Sequence, residues 1–318
     1  MCYSALVKQD LKNYGLKWAT RMDYQLILDM FELRRKGKKL NVPKAFEKNF
    51  KNPTTPIENK ILKSIEEYRE NQILELEADL FKQKTRHNNA IETLKMKKTK
   101  KFENERDVSE RQIDRIKKRL ERIKESKPKE NDSRIYAFDY SPVIVLEKGK
   151  RVVKPMRYHL RPGHMEESFD RKFPGCYNAR RDSLTKFWKP VFGKNHGVII
   201  VDAFFENVKK HDLEKRKLKS GEEEENVVIK FTPKGADYMV IPCIWDKWVR
   251  GDEELYSFAL ITDEPPAEVL ETGHDRCPIF LNEKRIDDWL NCDGKTQEQL
   301  FEILDDRQTP FYEHALAG

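Results

Sequence analysis

The chain has 318 residues, 38% of them hydrophobic and 37% charged, with a formal net charge of +7 at neutral pH. That length suits one large domain or two small ones, and the composition suits a globular core with a strongly solvated appendage. The basic excess favours an acidic partner, most often nucleic acid; no stretch approaches 18 apolar residues, which excludes a membrane-spanning helix, and five cysteines without a C-x-x-C pair argue against a zinc site or a disulfide framework.

The N-terminal MCYSALVKQDLK has no apolar signal core, which predicts a cytoplasmic protein with reduced thiols. Residues 1 to about 56 are mixed in composition and end in the turn-rich Asn52-Pro53-Thr54-Thr55-Pro56. From Ile57 to Lys127 there is no glycine or proline, and apolar residues recur at threes and fours (Ile61, Ile65, Tyr68, Leu76, Leu80, then Ile113, Ile116, Leu120, Ile123). This is coiled-coil spacing, with Thr55-Pro56 as the start signal and Pro128 as the stop. One continuous helix of that length would extend roughly 100 Å and strand the flanking regions far apart. The segment 57–127 is therefore expected to fold back as an antiparallel helical hairpin. Its tip should fall between His87 and Glu105, with Asn88-Asn89 and the run Lys95–Lys101 as candidate tip residues.

From about Ser133 short strands take over. Ser141–Leu146 precedes a Lys148-Gly149 turn, and Gly197–Phe205, Val227–Phe231, Tyr238–Trp245 and Ser257–Thr262 read as further strands. Residues 207–226, with the Ser220-Gly221 and glutamate run, read as a solvated hairpin loop, and Lys284–Leu290 and Thr296–Asp305 read as helices. An α+β domain made of residues 1–56 and 133–318, interrupted by the hairpin at 57–127, fits this order.

Cys2 directly follows the initiator methionine, and removal of Met1 would leave a free α-amine beside its thiol. An α-amine titrates near 7.7, so a useful fraction is neutral and nucleophilic at physiological pH. Such an amine can condense with an aldehyde, and the adjacent thiol can then close a five-membered thiazolidine ring. By position alone the residue is more often just a cysteine near an N-terminus. Further along, Asn178, the strand-end Glu206 and His274 supply an amide, a carboxyl and an imidazole on separate elements, the kind of set that acid–base chemistry needs. Cys176, Cys243 and Cys292 read as buried structural thiols.

Taken in order, Met1-Cys2, Asn178-Ala179-Arg180, Phe204-Phe205-Glu206 and His274-Asp275-Arg276-Cys277-Pro278 resemble the motifs of the SRAP family, the SOS-response-associated peptidase-like, abasic-site-processing proteins. That family's pattern is roughly Met-Cys-Gly-Arg, Trp-Gly-Leu-Ile-Pro, Asn-Ala-Arg-x-Glu, Gly-Phe-Tyr-Glu-Trp and His-x-Arg-Met-Pro, and Pro155–Pro162 occupies the place of the tryptophan motif. The resemblance covers residues 1 to about 50 and 133 to 293 and leaves the hairpin as an insertion. Tyr3-Ser4 departs from Gly-Arg, Ala203, Phe205 and Asn207 depart from the glycine, tyrosine and tryptophan around the glutamate, and Cys277 replaces methionine.

The resemblance implies a single domain round a β-barrel-like core that crosslinks to abasic sites in single-stranded DNA through the N-terminal cysteine. It assigns Cys2 as covalent nucleophile, Asn178 as the group positioning the sugar or amine, Glu206 as proton shuttle and His274 as the group that opens the deoxyribose. Arg180, Arg276 and Arg157 are implied phosphate contacts, and Tyr158 an aromatic that stacks on an exposed base. No metal or cofactor is implied. Family naming also suggests an N-terminal-nucleophile cysteine peptidase. The hairpin is open to DNA contact by its tip, to partner docking or to self-association, and a scaffold acting through its coiled coil is a further alternative.

Overall fold

The computed structural model describes residues 3–125 and 127–317. They divide into two compact units: the chain up to Met30 with Lys39–Asn52 and everything from Lys129 onward, and Phe31–Lys38 with Pro53–Pro128. Five helices come first in the numbering, α1 Leu11–Trp18, α2 Tyr24–Arg35, α3 Lys44–Lys48, α4 Pro56–Met96 and α5 Lys100–Lys124. The strands are β1 Ser4–Val7, β2 Arg21–Met22, β3 Arg134–Tyr136, β4 Tyr140–Glu147, β5 Lys150–Tyr158 and β6 Asn178–Arg180. They continue with β7 His196–Lys209, β8 Asn226–Pro233, β9 Met239–Arg250, β10 Glu253–Asp263, β11 Cys277–Pro278 and β12 Tyr312–Leu316. Among the described residues no helix is long and apolar enough to cross a membrane.

The first unit is a mixed α+β domain whose sheet closes on itself. β4 pairs antiparallel with β5, β5 parallel with β10, β10 antiparallel with β9, β9 antiparallel with β7, and β7 antiparallel with β4. Five strands thus form a barrel without open edges, the arrangement that hides every ladder of backbone donors and acceptors. Its filling is branched and aromatic, including Val143, Val145, Ile199, Ile241, Phe258 and Leu260, each at most 1% exposed. The β4–β5 hairpin turns at Lys148 (φ 50°) and Gly149 (φ 71°), and positive φ at both central residues is what a tight two-residue hairpin requires. Where β7 crosses β4, a Cβ on Gly197 would stand 2.9 Å from Val143 Cγ1 and 3.1 Å from the Ile144 carbonyl, so only glycine lets the strands approach this closely. The barrel-like core expected from the sequence is present. β7 runs on to Lys209, so the solvated connection to β8 is shorter than 207–226 and opens with the single helical turn Lys210–Leu213.

The second unit is a pair of antiparallel helices. Arg86 on α4 meets Glu105 on α5, and Glu77 meets Lys124, a pairing order that only antiparallel helices allow. Thr55 caps α4 in a reciprocal capping box with Glu58, followed by Pro56 in the first turn. The hydrophobic seam carries Leu76, Ile116 and Leu120, flanked by Ile73, Leu80 and Ile123. The reversal is tight: α4 ends at Met96 and Thr99 already caps α5, so the lysine run forms the tip, whereas Asn88-Asn89 stays inside α4. Leu76→Ala is expected to destabilise this unit by about 2–3 kcal/mol through the lost methyl contacts and the residual cavity. Far-ultraviolet circular dichroism during thermal unfolding would register it, and an unchanged melt would mean the seam is not what holds the pair together.

Candidate active site

β7 is apolar along most of its length, and alternation along a strand decides which residues look inward. Phe204 and Val208 belong to the barrel core, so Glu206 between them faces the same interior, while Ala203 and Phe205 pack on the outer face with Leu6. Glu206 is 0% exposed. Burial holds its carboxyl well above the usual carboxylate range, because a charge so far from water is costly to form. The nearby Asp275 acts in the same direction.

Its neighbour is the imidazole of His274, whose Nε2 lies 3.0 Å from Glu206 Oε2. The other ring nitrogen, Nδ1, lies 2.9 Å from the Arg276 carbonyl oxygen. The Arg276 backbone N–H lies 3.4 Å from the same nitrogen, so the Arg276 backbone holds this edge of the ring from both its donor and its acceptor. Burial pushes the His274 pKa down to about 4. Both shifts run toward the uncharged forms, which reduces the charge the site has to bury.

The first described residues run along the same end of β7. Ser4 pairs with Phe205, and the Tyr3 N–H donates to the Phe205 carbonyl at 3.0 Å. Arg134 locks this junction: its Nε donates to Ser4 Oγ at 2.9 Å, and its guanidinium lies 3.6 Å from the Phe205 ring centroid. No periodicity singled out Arg134; the one hint was Ser4 standing where the family pattern has arginine. Cys2 lies outside the described residues. Asn178, 6% exposed, is the register partner of Leu260 on β10 and so shares that core residue's inward face. β11, which follows His274, pairs with the same end of β10 at Thr262. Glu206 and His274 thus meet from two separate segments, and Asn178 lies on a third strand with its inward face on the barrel core.

The other implied residues are placed differently. Tyr158 is 0% exposed, stacked on Phe258 and edge-on to Tyr177, so neither ring face is open to a base. Arg157 holds Asp170 through two hydrogen bonds of 2.8 and 3.2 Å, and Arg161 grips the same carboxylate, keeping Asp170 below its ordinary pKa against the opposing effect of burial. Arg157 is thus a structural ion-pair partner in this conformation. Arg180 points to solvent and bridges Asp182 at 3.0 Å, and Arg276 is half-buried with its carbonyl orienting His274. Arg157→Ala should destabilise the domain by about 1–3 kcal/mol, because it removes one of the two guanidinium partners of the half-buried Asp170 and leaves Arg161 to hold it alone. A melt that stays put while DNA affinity falls would instead make Arg157 a phosphate contact. Cys176, Cys243 and Cys292 are buried, as is Cys277, and burial raises each thiol, Cys176 to about 12, so none is a reactive thiolate. Among the described residues no cluster of three metal-ligating side chains occurs.

The family model for SOS response associated peptidase (SRAP) matches residues 102–315, a span that includes Asn178, Glu206 and His274. None of the curated proteins compared with the chain matches it. In three dimensions it is similar to a crystal structure of a protein from Bacteroides thetaiotaomicron, at 17% identity over 58% of this chain and 77% of that one, with a TM-score of 0.45. A protein from Bordetella bronchiseptica is similar at 17% identity over 58% of this chain and 87% of that one, TM-score 0.45. A phage-related protein from the same organism is similar at 16% identity over 58% and 81%, TM-score 0.43.

Proposed function

Because the chain belongs to the SOS response associated peptidase family, we propose that it captures abasic sites in single-stranded DNA as a covalent thiazolidine, using the N-terminal cysteine exposed when Met1 is removed. The observation that carries this reading is the buried Glu206–His274 contact of 3.0 Å, next in the chain to Phe205, whose carbonyl takes the N–H of Tyr3, the residue after Cys2.

The chemistry sets the roles. The ring-opened sugar presents an aldehyde, and the Cys2 α-amine adds to it to give a carbinolamine. Loss of the hydroxyl as water needs a proton, and the Glu206 carboxyl, kept protonated by burial, is suited to deliver it. The resulting imine accepts the Cys2 thiol at carbon, the thiol proton passes to nitrogen, and the ring closes. One water leaves in total. His274, whose imidazole burial shifts toward the neutral form, is suited to take a proton from the sugar hydroxyl as the furanose opens or from the thiol as it adds, and to return it to Glu206. Asn178 has the donor and acceptor to orient the sugar or the amine. Arg180 and Arg276 remain the phosphate contacts of this reading, and the protein acts in the cytoplasm, on the nucleoid.

Incubation of the protein with an abasic oligonucleotide should give a heat-stable band on a denaturing gel, with an intact mass equal to protein without Met1 plus DNA minus one water. A mass equal to the free protein alone would sink the proposal. The family's own name favours a second reading, an N-terminal-nucleophile peptidase in which the Cys2 thiol attacks a peptide carbonyl. Turnover of a peptide substrate that requires Cys2, without any DNA adduct, would favour it.

A further inference from the structure

The net positive charge of this chain does not sit on the unit that holds Asn178, Glu206 and His274. That unit carries 38 basic and 39 acidic side chains, whereas the helical-hairpin unit carries 24 and 16, so the whole excess belongs to the hairpin. Within the hairpin the excess is concentrated at the tip. Lys95, Lys97, Lys98, Lys100 and Lys101 fall within seven residues that include no acidic side chain, and all five are exposed. Lys95 pairs back onto Glu92, but Lys97, Lys98 and Lys100 have no carboxylate at ion-pair distance among the described residues.

Helix stability does not account for these lysines. Lys95 lies in the last turn of α4, where a cation complements the helix dipole, but Lys100 and Lys101 open α5, where the dipole's positive end disfavours them. Docking to a protein does not account for them either, since interface centres are depleted in lysine and rich in aromatics and arginine, and the tip has one methionine and no aromatic. A row of exposed, strongly hydrated ammonium groups on a tight turn, held about 60 Å along α4 from Pro56, is suited to a flexible polyanion. We propose that the hairpin tip is a second, sequence-independent contact for the phosphate backbone of the nucleic acid. The choice of nucleic acid rests on the abasic-DNA reading above; the contact itself concerns undamaged backbone and needs no chemistry at Cys2.

The test compares the full-length protein with K97Q/K98Q/K100Q/K101Q, using fluorescence anisotropy on an undamaged single-stranded oligonucleotide across a salt series. With charge removed, Kd should weaken at least about tenfold at low salt, and the slope of log affinity against log salt should become shallower by about two to three. Arginine at the same four positions should restore both. The adduct formed with abasic DNA at saturating protein should reach the same end point in all variants, with circular dichroism showing the hairpin helices intact. An unchanged Kd and slope, no binding of undamaged DNA by the natural protein, or loss of an acidic protein partner at constant DNA affinity would each overturn the proposal. If Kd responds as stated while no variant forms an adduct, the crosslinking reading fails and the tip contact stands.

Discussion

Cys2→Ala should abolish the stable adduct with abasic DNA altogether, and a protein whose Cys2 stays behind Met1 or an uncleaved N-terminal extension should lose it as completely. The two variants fail for different reasons, and that difference identifies the chemistry. With alanine first in the mature chain the α-amine is still free, so an imine can form and dissociate; borohydride should trap it, whereas without borohydride nothing survives denaturation. With an N-terminal extension the thiol remains but the amine is acylated, so borohydride should trap nothing. Since an α-amine titrates near 7.7, the rate of capture should rise about tenfold between pH 6 and 7, as the neutral fraction does, and level off toward pH 8. Undiminished adduct from Cys2→Ala, read on a denaturing gel, would remove Cys2 from the mechanism.

Glu206→Gln is expected to slow adduct formation by roughly 10²- to 10⁴-fold, the usual contribution of a positioned general acid. Glutamine keeps the shape and a donor for His274 but has no proton to give. The pH dependence of stability supplies an independent check, with opposite signs for the two partners. Burial raises the Glu206 pKa in the folded state, so its contribution is fully present below the unfolded value of 4.5 and is lost as pH rises through the folded pKa. Relative to the natural protein, Glu206→Gln should therefore gain thermal stability as the solution becomes alkaline. His274 behaves oppositely, with its pKa lowered from 6.5 to about 4. Its contribution, on the order of 3 kcal/mol, is present above pH 6.5 and lost as pH falls through about 4, and His274→Gln should remove that acid sensitivity. A Glu206→Gln protein with near-natural rate and a melting difference independent of pH would show that the carboxyl is ionised and idle.

Much of this was legible before any coordinates. The glycine- and proline-free run from Ile57 with its threes-and-fours spacing already demanded two helices, and the flanking strands demanded that they fold back. The apolar run Gly197–Phe205 marked β7, and the Lys148-Gly149 pair marked the hairpin turn between β4 and β5. Both signals are local, set by periods of 3.6 and 2 and by which residues tolerate positive φ. Tyr158 and Arg157 show where local reading ends. An aromatic and an arginine in a motif position look available to DNA, yet β5 lies between β4 and β10, and that placement buries the ring and hands the guanidinium to Asp170. Arg134 is the converse: nothing in Arg-Ile-Tyr marks it, and its value comes from β3 pairing with β1 across 130 residues of chain.

By itself the sequence determined the main strands and the helix pair with its basic tip, because those follow from neighbours a few residues apart, and it offered Cys2, Asn178, Glu206 and His274 as candidates for the chemistry. Tertiary structure alone decided the surroundings of Glu206 and His274. Glu206 and His274 read individually as an ordinary carboxylate and an ordinary imidazole. Only closure of the barrel removes water from both, sets them 3.0 Å apart and shifts each toward its uncharged form. Desolvation is a property of everything packed around a group, and no short stretch of sequence contains it.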